Sequence, residues 1–320
     1  MILSFLLGLI PTLLLTVLTE RFLIPKLKSI GMGQKILDIG PRWHKSKEGT
    51  PTMGGIGFIL PALVAVILLL CFTPFDKALL LTFAYALLNG LIGLVDDYTK
   101  FVKKQNEGLT APQKYLLQLA AAGLYLTSLT LFGLFSTEFP LPFFGRSIDL
   151  GIFGYLIALL ILTGFVNSVN LTDGIDGLAS SVTVVVSGFF AAAAFVLANA
   201  PLAGLSGIGI GACLGFLVYN FYPAKVFMGD TGSLFLGGLV VGMAFAMNNP
   251  LLIFLVGIVY LAESVSVILQ VACFKLTGKR LFKMAPIHHH FEKFGWNEIK
   301  IVAVFSCVTL LCAVSAFFSL

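Results

Sequence analysis

Apolar runs of about 17 to 25 residues recur along the whole chain, and a run of that length is what an α-helix needs to cross the hydrocarbon layer of a bilayer. Ten runs predict ten spanning helices, at residues 2–23, 52–72, 78–95, 113–133, 151–167, 178–198, 203–220, 232–248, 251–273 and 300–319. The tight Asn248, Asn249, Pro250 sequence predicts the hinge between the eighth and ninth. Only 11% of the residues are charged, against about 25% in a soluble domain, so most of the surface must face something as apolar as the core. A soluble globular domain, a disordered chain, collagen and a disulfide scaffold are thereby excluded. The expected fold is an all-α integral membrane protein, a single polytopic domain over residues 1–320. Cys71, Cys213, Cys273, Cys307 and Cys312 sit in or beside apolar stretches without CxxC spacing and read as small packing residues. The first run reads as a span rather than a cleaved leader, because its basic residues follow the apolar stretch instead of preceding it.

Ten crossings put both termini on one side, and Lys and Arg decide which, since cytoplasmic connections carry an excess of both. Of the 20 basic residues only Lys77 and Arg146 lie by the connections after even-numbered runs. The remainder, from Arg21 and Arg42 to Lys293 and Lys300, gather by the connections after odd-numbered runs. Those connections, about residues 24–51, 96–112, 168–177, 221–231 and 274–299, are therefore expected to be cytoplasmic and both termini extracytoplasmic. The net charge of +5 is explained by this bias and points to no nucleic-acid partner. Asp and Glu contribute little to orientation, yet Asp96, Asp97, Asp173, Asp176 and Asp230 all fall at helix ends on the same face. That face is the expected working surface.

The third run ends in Val95, Asp96, Asp97, Tyr98. Two adjacent carboxylates at the negative end of a helix dipole lose about 0.3–1 kcal/mol each unless a cation compensates, which asks for Mg²⁺ or a lysine. The fifth run leads into NLTDGIDGLA (170–179), where Asn170, Asp173 and Asp176 recur every third residue and Gly174 and Gly177 let backbone amides approach a ligand. Asp176 could also cap the sixth helix. In GDTGS (229–233) Asp230 or Thr231 is a candidate N-cap of the eighth helix, whose amides suit a phosphate. Upstream, Asn220 and Lys225 are left over by capping. Gly49 to Gly55, preceded by His44, Lys45 and Lys47, reads as a helix start with Pro51 in its first turn and Thr52 facing phosphate, or equally as glycines that serve close helix packing in lipid. The run His288, His289, His290 with Glu292 suits phosphate contact better than zinc, since adjacent histidines do not readily bind one ion and no cysteine is near. Glu263, in the middle of the ninth run, should face the bundle interior. Clustered carboxylates with clustered lysines and histidines point to metal-assisted phosphoryl chemistry at a membrane surface, with Mg²⁺ as the hard cation and a lipid as a plausible substrate.

The strings GTPTMGG (49–55), VDD (95–97), NLTDGIDGLA (170–179), GDTGSLFLGG (229–238) and MAPIHHHFE (284–292) together resemble the phospho-N-acetylmuramoyl-pentapeptide transferases, or translocase I, in the same order over most of the chain. These belong to the polyprenyl-phosphate N-acetylhexosamine-1-phosphate transferases. The resemblance implies a multi-pass enzyme of the bacterial plasma membrane, with a cytoplasmic active site, that moves phospho-N-acetylmuramoyl-pentapeptide from UDP-N-acetylmuramoyl-pentapeptide to undecaprenyl phosphate. UMP leaves and lipid I forms, as a step of peptidoglycan biosynthesis. It further implies Asp96 and Asp97 as the catalytic aspartate pair, Asp230 as the main Mg²⁺ ligand alongside them, and Asn170, Asp173 and Asp176 in the nucleotide-sugar site. Asn220, Phe227 and Gln270 would lie near the nucleotide; Lys47, Thr52, Lys100 and Lys114 would handle phosphate or uridine; His288, His289 and, less directly, His290 would stand by the pyrophosphate. A homodimer is also implied. Two other readings remain open at this point: a sister transferase using UDP-N-acetylglucosamine, and an ion-coupled transporter whose acidic residues form a path.

Overall fold

The computed structural model describes residues 1–31, 33, 47–103, 105 and 107–320; Arg42, His44, Lys45 and Lys104 fall outside them. The chain folds into a helical membrane-protein bundle of α1 (Ile2–Ile30), α2 (Ile56–Phe72), α3 (Lys77–Lys103), α4 (Ala111–Leu131), α5 (Ile152–Thr172), α6 (Leu178–Val196), α7 (Ala200–Asn220), α8 (Gly229–Ala246), α9 (Ile253–Val256), α10 (Ile258–Thr277), α11 (Ile287–Glu292) and α12 (Glu298–Phe317). Eight of these, α1, α3, α5 to α8, α10 and α12, are long and apolar enough to cross a membrane, and α2 is a shorter apolar helix. One departure from the all-α expectation is a two-stranded antiparallel hairpin, β1 (Glu138–Leu141) and β2 (Arg146–Asp149), between α4 and α5. Its strands run only four residues each, too short to raise a periodic signal beside bilayer-length runs.

Several helices outrun their apolar stretches. The third continues to Lys103, so Asp96 and Asp97 lie inside α3 rather than at its end, and Lys100 and Lys103 sit in its last turn where the dipole favours cations. Likewise α1 runs to Ile30, α5 to Thr172 and α10 to Thr277. Conversely, α2 begins only at Ile56, so Pro51 and Thr52 precede the helix. The Pro51 carbonyl there accepts the Phe227 N–H at 2.8 Å, and Gly54 N–H donates to the Phe227 carbonyl at 2.9 Å, tying this segment to the approach of α8. The ninth apolar run is split: a 3-10 turn (Pro250–Leu252), then α9, then a break at Gly257 before α10. The expected hinge holds, with Asn248 at φ 55° closing the end of α8.

Burial identifies the centre. Every residue of α8 from Thr231 to Phe245 is buried, whereas α1 buries only one residue per turn, Ser4, Gly8, Thr12, Thr16, Glu20, Ile24 and Leu27. Lipid tails are as apolar as leucine, so helices in a bilayer associate through close packing of small residues. The α1–α7 pair does this: a side chain on Gly207 or Gly211 would run into the α1 backbone at Phe5 to Leu13. On the other side of the core α3 lies against α8, and Gly93 of α3 rests directly on the Asp230–Thr231 peptide at the start of α8. This contact sets the site.

Candidate active site

Three carboxylates converge where α3 meets the N-terminus of α8. Ligand oxygens of Asp96, Asp97 and Asp230 lie within 4.8 Å of one another. Asp230 and Thr231 are not the N-caps of α8. Asp97 caps it from another helix: its Oδ2 accepts the Thr231 N–H at 2.9 Å and the Thr231 hydroxyl at 2.8 Å, and its Oδ1 accepts the Asp230 N–H at 3.2 Å. A carboxylate against the positive end of a helix is in a favourable place, and a cap of this kind contributes about 0.5–2 kcal/mol. It leaves the Asp230 side chain free to face outward. Gly229, at φ 67°, lies between Asp97 Oδ2 and Thr52 Oγ1, and a side chain there would meet both. Asp96 has a second anchor: its Oδ1 accepts the Leu109 N–H at 2.8 Å, fastening the segment that leads into α4.

Lysines hold this negative charge together. Lys100 Nζ is 2.6 Å from both Asp96 Oδ2 and Asp230 Oδ2 and 3.6 Å from Asp97 Oδ1. Lys114 Nζ, brought in by α4, reaches Asp230 Oδ2 at 3.0 Å. The other Asp230 oxygen accepts Asn170 Nδ2 at 2.7 Å, and the same amide donates to Ser233 Oγ at 2.8 Å. The structure thus joins Asp96, Asp97, Lys100, Lys114, Asn170 and Asp230 in one cluster. Thr231, expected as a cap, belongs to it through Asp97, and so does Ser233, unnoticed in the sequence because a hydroxyl in a glycine-rich helix start looks like packing.

A second cluster adjoins it. Asp176 does not cap α6, whose N-cap is Gly177 in the left-handed region at φ 75°. Its Oδ1 instead accepts Lys47 Nζ at 2.6 Å and its Oδ2 the Ala224 N–H at 2.8 Å. Lys47 also reaches Glu298 Oε2 at 2.7 Å, and that oxygen accepts the Asp176 N–H at 2.8 Å. The sequence reading missed Glu298, because a glutamate in the first turn of α12 looks like ordinary dipole compensation. Asn220 is buried and cross-links the loops, accepting the Gly177 N–H at 3.1 Å and donating to the Val226 carbonyl at 2.9 Å. Asp173 lies between the clusters: burial, and the nearby carboxylates of Asp230, Asp97 and Asp176, hold its carboxyl well above the usual carboxylate range.

The three adjoining histidines take different partners, although the rings of His288 and His289 lie against each other with centroids 4.1 Å apart. His288 is fully buried, with Nδ1 3.0 Å from Glu263 Oε2. Glu263 is buried in the bundle interior, as its depth in the sequence predicts. His289 Nδ1 pairs with Glu292 Oε2 at 2.5 Å, and His290 Nδ1 accepts the Lys283 N–H at 3.0 Å amid the rings of Phe282, Phe291 and Phe294. Gln270 accepts the Phe282 N–H at 2.8 Å and so pins the segment leading to them.

Chemically, three hard oxygen donors, two inside α3 and one in the first turn of α8, could hold a divalent cation, and the two ammonium groups beside them suit phosphate oxygens. Residues 79–248 match the model of glycosyl transferase family 4. The chain is similar to the phospho-N-acetylmuramoyl-pentapeptide-transferase of Staphylococcus carnosus (strain TM300), 44% identical over 93% of this chain and 94% of that protein. It is similar as well to the same-named proteins of Clostridium novyi (strain NT), 46% identical over 93% and 91%, and of Caldanaerobacter subterraneus subsp. tengcongensis, 46% identical over 95% of each. The chain belongs to the phospho-N-acetylmuramoyl-pentapeptide-transferase family, within family 4 of the glycosyl transferases.

Proposed function

We propose that this membrane enzyme transfers phospho-N-acetylmuramoyl-pentapeptide from its UDP conjugate to undecaprenyl phosphate, releasing UMP and forming lipid I. The observation that carries the reading is the junction of α3 and α8, where Asp96, Asp97 and Asp230 meet Lys100 and Lys114 in one cluster. Such a junction suits a pyrophosphate rather than an ion path, and the names of the relatives favour the muramoyl-pentapeptide donor over UDP-N-acetylglucosamine.

In this reaction an oxygen of the lipid phosphate attacks the β-phosphorus of the nucleotide sugar, the bond from that phosphorus to the bridging oxygen breaks, and UMP departs with the bridging oxygen. Asp230, with Asp96 and Asp97, would hold Mg²⁺, whose positive charge would offset the negative charge of the pyrophosphate. The donor set fits such a cation: the Lys100 ammonium sits 2.6 Å from two of the three carboxylates, at a point already organised for positive charge. Lys100 and Lys114 bind phosphate oxygens once substrate enters. Asp97 keeps both oxygens on the amides of α8, which supports direct attack with Asp97 orienting the groups over a covalent phospho-aspartyl route. Asp173 and Asp176 line the nucleotide-sugar side, and Lys47 steadies Asp176. His289 and His290 border the pyrophosphate region. We place the active site at the cytoplasmic face of the bacterial plasma membrane, with ten crossings, both termini outside and a homodimer as the assembly; the distribution of Lys and Arg supports the orientation.

The test is turnover of the purified chain in detergent with UDP-N-acetylmuramoyl-pentapeptide, undecaprenyl phosphate and Mg²⁺. UMP and lipid I in equal amounts are expected; turnover of UDP-N-acetylglucosamine alone, or none without a transmembrane ion gradient, overturns the assignment. Capture of a phospho-sugar on Asp97 with nucleotide substrate alone would defeat direct attack.

A further inference from the structure

Within α10, a candidate membrane-crossing helix, the Glu263 carboxyl is fully buried and one of its oxygens, Oε1, has no hydrogen-bond partner. The other, Oε2, faces His288 twice, taking the main-chain N–H at 3.4 Å and lying 3.0 Å from Nδ1. An oxygen that already serves as acceptor for the backbone favours a hydrogen on Nδ1, which assigns the tautomer and leaves Nε2 as the remaining ring nitrogen. Nε2 is itself buried and unpartnered. It points at Gly174, in the turn between Asp173 and Asp176, so closely that a side chain there would collide with the ring. Orphaned buried polar atoms are rare in folded proteins, and two in one fixed pair call for a role. The ring is closed off from the surface, so that role is not contact with a phosphate.

We infer that Glu263 and His288 are a positioning pair: Glu263 fixes the His288 ring, and the ring braces the Asp173–Gly174 turn so that the Asp173 carboxyl faces the Asp97–Asp230 cluster. This rests on the proposed reaction only for its kinetic readout. Gly174 is then required for the contact, since any Cβ displaces either the ring or the turn.

The test uses the full chain in detergent with Glu263→Gln, His288→Gln, Gly174→Ala and the Glu263→Gln/His288→Gln double variant. Because Asp173 serves the nucleotide sugar, each single variant is expected to raise KM for the UDP-sugar about tenfold and leave KM for undecaprenyl phosphate within about twofold. Loss of folded enzyme would lower kcat and move neither KM. The double variant should be no worse than His288→Gln alone. Independently of any activity, the ring nitrogens of ¹⁵N-labelled His288, assigned by the signal that His288→Gln removes, should report hydrogen on Nδ1 and shift in Glu263→Gln. Additive losses, unchanged KM for the UDP-sugar in Gly174→Ala, or a His288 signal indifferent to Glu263→Gln overturns the pair. Should the wild-type chain release no UMP, the proposed reaction fails, while the nitrogen signal still decides the pair.

Discussion

A single methyl group at Gly93 should disable this enzyme. Gly93 lies in α3 three residues before Asp96, and a Cβ built on it would stand 2.6 Å from the Thr231 nitrogen and closer still to the Asp230 carbonyl. Both are backbone atoms, so no side chain can rotate away. Ordinary contact requires about 3.5 Å between heavy atoms, so the start of α8 must withdraw by about 1 Å. The Asp97 Oδ2 to Thr231 N–H bond is 2.9 Å long, and a withdrawal of that size takes it to about 3.9 Å, beyond hydrogen-bonding range. The cap on α8 is lost, and Asp230 moves off Lys100 and Asn170. Overpacking of this sort costs about 1–3 kcal/mol in stability, and a misplacement of about 1 Å at reacting groups costs about 100-fold in rate. The assay is UMP release by Gly93→Ala with both substrates at saturation, normalised to folded protein by size-exclusion fluorescence. Gly123→Ala in α4 is the control, for nothing lies within 4 Å of its Cβ, and replacing a helix-interior glycine by alanine should be neutral or gain about 0.5–1 kcal/mol. If Gly93→Ala turns over like Gly123→Ala, the α3–α8 contact does not set the site and the reasoning fails.

Asp230→Asn keeps the size of the side chain but removes the charge that gathers Lys100, Lys114 and Asn170, and should lower turnover about 10²- to 10³-fold; chelation of the wild-type enzyme should mimic it and added Mg²⁺ reverse the chelation, but not the substitution. Lys47→Met strips the cation from the buried carboxylates of Asp176 and Glu298, an error worth about 3–5 kcal/mol, so the thermal midpoint should fall, and Glu298→Gln added to it should recover part of the loss; a midpoint equal to wild type would deny the pairing. Asp173→Asn bears on pH. Because burial and neighbouring carboxylates raise its carboxyl, folding favours the protonated acid, whose contribution is present below the ordinary value of about 3.9 and is lost as pH rises through the raised one. The variant should therefore unfold at a higher temperature than wild type at pH 8, with the gap closing toward pH 4; a gap that widens on acidification contradicts the sign.

What the sequence settled by itself is the solvent and the positions of the helices. A run of bilayer length has one economical conformation in lipid, because each backbone polar group must be satisfied within the segment, so hydropathy placed helix at every run, although α1 and α3 extend seven and eight residues past their runs and the ninth run is broken before α10. The motif residues were legible too, since Asp96, Asp97, Asn170 and Asp230 do meet. Packing decided the division of labour among them. Adjacent carboxylates on a helix point about 100° apart, so nothing in the Asp96-Asp97 string says that one braces the entry to α4 while the other caps α8. Packing likewise gives buried His288 the Glu263 partner while His289, whose ring lies against it, pairs with Glu292. Glu298 lies 122 residues from Asp176 and Lys47 lies 129 from it, distances over which no local spacing carries information. Nor does composition rank the 33 glycines: a Cβ at Gly93 would collide with a backbone peptide and one at Gly174 with an imidazole ring, while one at Gly123 would meet nothing within 4 Å, and only tertiary packing makes that difference.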